Sequence, residues 1–570
     1  MEQILDALTT LDSPYVNVFL AVLRYVAPAL VAIILWRCCK PLLTFRPEPE
    51  IWGFLVTKEG KKYPIAHWEN VIGQHKRCDV VIDVPTVSRN HAVLTRYDDG
   101  SWTITDTGSK NGVFVNGKRV SISEIDAFDD ISIGGVDMAF QPISKEQVDR
   151  LAKMRTKASS GLESIANLLL LTVLQMLSCL GFLMGADPAS ESILLGYGGI
   201  IAIQWALLMF YLVIRRPAFE METVAFLLCT MGMAAICTVK PTESVKQLVA
   251  LALGVATFLV VGWSMRDLER AKKMRYVAAV AGLGLLAVTL VFGKEYYGAK
   301  NWLVIGPVSI QPSELAKVCF VYVGASVMDR ILNKRNLIGF IVYTMIVCGC
   351  LALMNDFGTA LIFFCAFLMI AYLRSGSVGT IALAVTALGF AGVTALNIAP
   401  HALRRFASWR HIWEDPLGTG YQQTRSLMCL ASGGVFGLGV GKGWMENLFA
   451  ADSDMVFATL AEEWGLIIPV LLVLSIVALA LFTVRSSVVS RSTFYTIGAC
   501  TAAAILVVQT MFNVLGTVDV LPLTGVTFPF VSNGGSSMIC AWGLLAFIKA
   551  GDTRQNASFA VRAGKWRWAS

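Results

Sequence analysis

The sequence predicts a polytopic α-helical membrane protein of about thirteen spans that carries one small soluble all-β domain near its N-terminus. Three observations predict it. Of 570 residues, 55% are hydrophobic and only 15% are charged, with a mean hydropathy of +0.63; a soluble chain is about a quarter charged. The apolar residues gather in runs of roughly twenty, enough to cross a bilayer core of about 30 Å. One stretch, Ile51 to Gln141, breaks that pattern and has the grammar of strands and turns.

The first apolar run, Val16 to Trp36, follows an acidic N-terminus and lacks a small-residue cleavage site, so residues 1–46 are assigned to a retained anchor. In residues 47–142, short runs such as Val80-Val81-Ile82, His91 to Leu94 and Trp102 to Ile104 are bounded by Gly, Asp, Asn and Pro. Asp98-Asp99-Gly100 and Asn116-Gly117 are hairpin signals. A basic linker occupies 143–160, with Lys145, Arg150, Lys153, Arg155 and Lys157. Two additional spans fill 161–221, a larger helical core 222–552, and a tail 553–570. Span centres fall near Leu174, Leu207, Leu228, Gly254, Leu285, Phe320, Tyr343, Cys365, Leu388, Leu471, Ile505 and Trp542.

Lys and Arg in short loops favour the cytoplasmic side. Arg215-Arg216, the cluster Arg266 to Arg275, Lys334-Arg335, Arg374, Arg485 with Arg491, and Lys549 with Arg554 fall at every second connection. The β domain joins them, and the long polar connection from Pro400 to Asp454 falls on the outer side. Long loops in compact architectures are usually functional. The thirteen cysteines are scattered, mostly within apolar runs, and only five histidines are present. They are assigned as small buried hydrophobes, and no metal site is expected. The net charge of +7 is modest, and no nucleic-acid partner is expected.

The run "IGQHKRCDVVIDVPTVSRNHAVL … ITDTGSKNGVFVNGKRV" resembles a forkhead-associated (FHA) domain, whose pattern is Gly-Arg, Ser-x-x-His, Ser-x-Asn-Gly and Asn-Gly. The resemblance implies a β-sandwich whose loops bind phosphothreonine. Ser88, Arg89, Lys110 and Asn111 match the phosphate-side positions, while His91 matches a bracing one. A phosphate of charge near −2 calls for hydroxyl, amide and guanidinium donors converging from adjacent loops. The usual Arg after the first Gly is Gln74 here, which removes one charged contact; His75, Lys76 and Arg77 are nearby replacements. A protein-docking surface without phosphate recognition is the alternative.

Four further stretches stand out at the predicted outer face. They are Trp302 with "GPVSIQPSELAK", "NDFGTA", the long loop with "GYQQTRSLMCLASGGVFGLGVGKG" and "AADSDMVFATLAEEWG", and "LPLTGVTFPFVSNGGSSM". Glu314 and Lys317 enter an apolar helix at i, i+3, where ionisable groups cost roughly 2.5–3.5 kcal/mol each and mark function or a paired scaffold. Pro312, Ser313 and Asp356 also have plain readings as helix starts. Together these stretches resemble the SEDS family (shape, elongation, division and sporulation), which includes RodA and FtsW, from about Glu222 to Ala550.

That resemblance implies a peptidoglycan glycosyltransferase that polymerises lipid II, an undecaprenyl-linked precursor, beside a class B penicillin-binding transpeptidase. Asp454 matches the catalytic carboxylate and Glu446 a second acid. Trp302, Gln311, Glu314, Lys317, Asp356, Tyr421, Gln422, Arg425, Lys442, Ser532, Gly534, Gly535 and Ser536 are the matched substrate-side positions. A carboxylate suits deprotonation of an attacking sugar hydroxyl. A pyrophosphate leaving group calls for cations, with Arg404, Arg405, Arg410, Arg425, Lys442 and Lys300 as candidates. A divalent cation, magnesium or manganese, is chemically compatible with carboxylates and pyrophosphate. The chain departs from the family pattern at Asn301 (Arg), Arg425 (Gln), Asp452 (His) and Asn533 (Tyr). Two other functions stay open: a flippase for lipid-linked precursors, and a non-catalytic scaffold of the wall machinery. The FHA resemblance adds a phosphothreonine protein from a Ser/Thr kinase pathway as a regulatory partner.

Overall fold

A computed structural model describes residues 13–560 except 49, 77, 98–99, 144–145, 148–149, 151–157, 186–189, 297, 307, 328–333, most of 376–405, and 556. Helices α1 (Ser13–Leu43), α2 (Gly161–Gly185), α3 (Ser190–Val213), α4 (Glu220–Val239), α5 (Ser244–Ser264) and α6 (Leu268–Phe292) come first. Next come α7 (Pro312–Val327), α8 (Lys334–Leu353), α9 (Phe357–Ser375), α10 (Tyr421–Gly433) and α11 (Val456–Trp464). Last are α12 (Ile467–Ser487), α13 (Thr493–Thr517) and α14 (Gly535–Ala550). Among the described residues, 10 helices are long and apolar enough to cross a membrane. The shorter α7 and α14 hold two more predicted span centres, Phe320 and Trp542. The centre at Leu388 lies outside the described residues, as do Arg404, Arg405, Arg77, Asp98, Asp99 and most of the basic linker.

Between α1 and α2, eleven strands form two sheets packed face to face. The first sheet has β1 (Gly53–Thr57), β2 (Lys62–Ile65), β7 (Val113–Val115), β8 (Lys118–Val120), β10 (Asp130–Ile133) and β11 (Val136–Pro142). The second has β3 (Glu69–Gly73), β4 (Val80–Val81), β5 (Ala92–Arg96), β6 (Trp102–Asp106) and β9 (Ile122–Ile125). Period-two burial builds the core: Ile131 and Ile133 of β10 and Trp102 and Ile104 of β6 point inward, with less buried residues between them. The Asn116-Gly117 signal closes the β7–β8 hairpin, with φ of 50° and 78°, the left-handed pair that a two-residue turn needs.

The sandwich rests on one end of the helix bundle. Trp68, just before β3, donates its N–H to the Arg491 carbonyl (2.7 Å) and meets the Tyr495 ring edge-on at 6.1 Å. Arg491 pairs with Glu50 (2.7 Å) and Lys272 with Glu69 (2.8 Å). Because β3 leaves this contact at Glu69 and reaches the loops at Gly73, those loops stand on the far side of the domain from the bundle.

Lys549 and Arg554, counted from sequence among the connection cations, are buried. Lys549 pairs with Glu222 (3.1 Å), which also accepts the Tyr211 hydroxyl (2.7 Å), and Arg554 sits between Glu220 and Asp552. These pairs fasten the start of α4 to the end of α14. Inside the bundle, Gln175 and Gln204 exchange amide hydrogen bonds (2.9 and 2.8 Å), and Gln175 also reaches Thr230 of α4 (2.9 Å). The extra helices α2 and α3 are thereby hydrogen-bonded to the larger core.

Candidate active site

The starts of α7, α9 and α14 meet the loop after α13 and the loop before α11 around a cavity of ≈ 650 Å³. Trp302, Gln311, Glu314, Asp356, Asp454, Gly534 and Ser536 all line it. Residues more than two hundred positions apart in the chain therefore share one wall.

Each start has a local cause. Pro312 opens α7, where its fixed φ and missing N–H cost nothing. Asp356 caps α9, its Oδ1 accepting the Thr359 N–H (3.2 Å). The other oxygen of Asp356 accepts from Asn301 (3.0 Å) and Gln311 (3.3 Å). Asn301 thus fills the expected arginine position with a neutral donor. Gln311 also donates its backbone N–H to Ser536 Oγ (3.2 Å), which joins the start of α7 to that of α14. Behind this wall the buried Lys317 donates to Glu314 Oε1 at 2.7 Å. Glu314 Oε2 is buried and has no hydrogen-bond partner among the described residues.

Asp454 hangs from a well-tied backbone. Its carbonyl accepts from Asn513 Nδ2 (3.0 Å) and Thr517 Oγ1 (3.4 Å), and the preceding carbonyl, of Ser453, accepts from Ser532 Oγ (2.6 Å). Gly525, at φ 69°, lies beside the carboxylate; a Cβ there would sit 3.5 Å from Oδ2. Ser532 is accordingly a brace below the site and not part of its lining. Asp452 is buried and takes a different direction, meeting Asn533 Nδ2 at 2.7 Å and Lys240 at 3.4 Å. Asn533 reaches Glu243 as well (2.9 Å). Only Asp454 of the two nearby carboxylates lines the cavity.

Several sequence-predicted residues lie elsewhere. Glu446 stands exposed on the short turn Met445–Asn447, outside the cavity lining. Its neighbour Met445 takes the inward direction, into a small apolar cluster with Cys429, Leu448 and Ala451. Arg425 lies over the Tyr421 ring at 5.3 Å, Gln422 bonds the Phe449 carbonyl (3.2 Å), and Lys442 is exposed. Lys300 is held by the Leu290 carbonyl (2.8 Å). Arg410 is exposed, its guanidinium over Trp409. No Lys or Arg among the described residues lines the cavity. Three carboxylates, Glu314, Asp356 and Asp454, line it, and the N-termini of α7, α9 and α14 are the groups at its wall whose dipoles favour anions.

Sequence reasoning passed over Asn513, Lys240 and Glu463, and named Asn533 only as a departure from the family pattern. Asn513 carried a usable signal, since an amide inside an apolar span is costly unless it is used. Glu462 and Glu463 pin the glycine-rich loop: Glu462 accepts the Met445 N–H (2.9 Å), and Glu463 accepts the Gly441 N–H (3.0 Å) and the Thr238 hydroxyl (2.7 Å). Burial pushes the Glu463 carboxyl up to about 7.

On the sandwich, the phosphate-side loops converge. Lys110 donates its N–H to Ser88 Oγ (3.1 Å), Asn111 Nδ2 bonds the Thr86 carbonyl (2.7 Å), and Gln74 N–H bonds the Ser88 carbonyl (3.0 Å). Arg89, Lys110 and Asn111 are exposed. The buried His91 accepts the Ser88 N–H at Nδ1 (3.0 Å), with Nε2 3.0 Å from the Gly112 carbonyl. That is a neutral brace with its proton on Nε2.

Comparisons with known proteins agree with this architecture. An FHA-domain model matches residues 70–134. The FtsW/RodA/SpoVE model, described as a cell cycle protein, matches residues 223–556. A peptidoglycan glycosyltransferase RodA of Mycobacterium tuberculosis is 29% identical over 322 residues, 53% of this chain and 69% of that protein. A probable peptidoglycan glycosyltransferase FtsW of Tolumonas auensis is 35% identical over 304 residues, 51% of this chain and 77% of that protein. A solved structure titled as the structural coordination of polymerization and crosslinking by a peptidoglycan synthase complex is 26% identical. It covers 58% of this chain and 96% of its own, with a TM-score of 0.50. The chain therefore belongs to the FtsW/RodA/SpoVE family of cell cycle proteins and carries an FHA domain ahead of the family core.

Proposed function

We infer that this protein is a peptidoglycan glycosyltransferase, polymerising lipid II into glycan strands on the face opposite its FHA domain. The observation that carries this reading is Asp454, whose braced loop lines a ≈ 650 Å³ cavity ringed by three helix starts. Asp454 takes the proton of the acceptor sugar hydroxyl while that oxygen forms a bond to the donor's anomeric carbon. The bond from that carbon to the lipid pyrophosphate breaks, and the electron pair leaves with the pyrophosphate. The N-termini of α7, α9 and α14, with the Ser536 hydroxyl, stabilise the negative charge that grows there.

The described residues hold no cluster of three or more Asp, Glu, His or Cys able to cage a metal. Magnesium or manganese would be held by one or two lining carboxylates together with pyrophosphate oxygens. Such an ion would supply charge neutralisation. Glu446, Arg410 and Arg425 lie outside the cavity lining and take no part in this step. The partner is a class B penicillin-binding transpeptidase, in keeping with the complex described for the solved relative. The basic connections favour a cytoplasmic FHA domain, which in this reading binds a phosphothreonine protein supplied by a Ser/Thr kinase.

The full chain, reconstituted with labelled lipid II, is expected to give a ladder of glycan products. Translocation of the lipid without polymer would replace this reading with a flippase.

A further inference from the structure

One guanidinium beside the FHA loops has no part in the contacts described so far. Arg119 stands on β8 opposite Phe114 of β7 and is exposed. Val113 starts β7 and Val120 ends β8 across from it, so the phosphate-side loop at 108–112 enters the hairpin at this end. The Arg119 side chain turns back toward that loop. A Cβ on Gly112 would lie 2.6 Å from Arg119 Nε and 3.1 Å from Cζ.

The support beneath Arg119 is fixed. Gly112 is buried at φ 77°, in the left-handed region that glycine enters at no steric cost. Its N–H bonds Ser109 Oγ (3.0 Å), and its carbonyl lies 3.0 Å from His91 Nε2. Lacking a side chain, it leaves the space over its Cα to the guanidinium. The facing loop is held as firmly. The Arg89 carbonyl accepts the His75 N–H (3.1 Å) and the Cys78 thiol (3.2 Å), and a Cβ on Gly73 would meet that carbonyl oxygen at 2.3 Å.

The charges form two stations along one face. Ser88, Arg89 and Lys110 make the first, where the Lys110 N–H meets Ser88 Oγ at 3.1 Å. Arg119 makes the second, beyond Asn111 and over Gly112. Two residues separate Lys110 from Gly112, at most about 7 Å of chain, which is also the reach of two residues of an extended peptide. With Gln74 in place of an arginine, the first station meets a phosphate with one charged contact fewer. A second anion on the same ligand, met by a guanidinium, restores a charge-assisted hydrogen bond.

We propose that Arg119 selects the ligand of the FHA domain by pairing with a carboxylate that lies within about three residues of the phosphothreonine. The preferred partner is thus a phosphorylated segment with an acidic neighbour. This inference rests on phosphothreonine binding by the domain.

The test is fluorescence anisotropy with the full chain purified in detergent. The probes are fluorescein-labelled heptapeptides with a central phosphothreonine and alanine elsewhere, with aspartate placed at each other position in turn, and their unphosphorylated counterparts. The wild type is expected to bind at least one aspartate peptide about three- to fivefold more tightly than the all-alanine phosphopeptide. R119Q is expected to lose that gain and to keep its affinity for the all-alanine phosphopeptide. K118Q, which removes the same charge from the neighbouring exposed position, is expected to keep the gain. An undiminished gain in R119Q, or no gain at any position in the wild type, would overturn the proposal. Equal weakening of every phosphopeptide by R119Q would also overturn it, since Arg119 would then serve the phosphate itself. Equal binding of phosphorylated and unphosphorylated peptides would remove the phosphothreonine reading and this inference with it.

Discussion

Asp452 and Asn533 are two places where this chain departs from its family's motifs, and the two departures touch. The Asn533 amide donates to the Asp452 carboxylate at 2.7 Å, and its backbone N–H donates to the Asp452 carbonyl at 2.8 Å. Asp454 is two residues further on, so the pair sets the direction from which its carboxylate enters the cavity. Asn533→Ala is expected to lower turnover on the order of 10²-fold, the effect of a misplacement of about 1 Å, with little change in the amount of folded protein. Steady-state glycan synthesis beside a thermal melt checks this; an unchanged rate would remove Asn533 from the positioning machinery. The motifs made Gln311, Glu314, Asp356 and Asp454 legible in the sequence, because each stands at the head of an apolar run. Glu446, matched through the family resemblance as a second acid, stands exposed outside the cavity lining, a direction that a motif match does not give. The buried Met445 beside it decides that.

At the scale of elements, the glycine-rich run after α10 and the end of α11 form one clasp. Gly437 has φ 81°, and a Cβ there would come 2.1 Å from the Glu463 carbonyl oxygen. Gly437→Ala is therefore expected to destabilise the loop by roughly 1–3 kcal/mol, visible as faster proteolysis of the outer loop; unchanged cleavage would contradict the clasp. Glu463 adds a pH dependence. Its folded-state carboxyl titrates near 7, above the ordinary carboxylate value, so the folded state binds the proton more tightly. Its contribution is fully present below the unfolded-state value near 4.3 and is lost as pH rises through about 7. Glu463→Gln should flatten that loss, about 3 kcal/mol at most. Thermal melts at pH 5 and pH 8 would show it as a smaller difference than in the wild type; an equal difference would sink the assignment. None of this was legible beforehand, because "AEEWG" carries no sign that both acids are buried or which loop N–H groups they accept. The strand grammar of the FHA domain was legible, since alternation and the Asn116-Gly117 turn are local signals.

Over the whole molecule, α13 joins the two functional ends. It begins beside the FHA contact at Tyr495 and ends at Thr517 under Asp454, about 37 Å away for 25 residues. The three extra spans also do more than anchor the FHA domain. Arg24 of α1 bonds the Phe436 carbonyl of the long loop at 3.1 Å, and Phe182 of α2 packs on Trp464 at the end of α11 at 6.2 Å. Their attachment through Gln175 and Gln204 has a testable signature. Gln175→Leu is expected to cost about 1–2 kcal/mol by stranding its partners, and adding Gln204→Leu should recover part of it. A melt in which the second change only adds to the first would contradict the network. This tertiary wiring was invisible in sequence, where a glutamine in an apolar run announces cost but not its partner.

The most direct test sets Asp454→Ala against the wild type in the same reconstituted membranes with labelled lipid II. Products are separated by chain length, and folding is matched by thermal melt. The account predicts glycan strands from the wild type and none above background from Asp454→Ala. Strands of equal yield and length from both would contradict it.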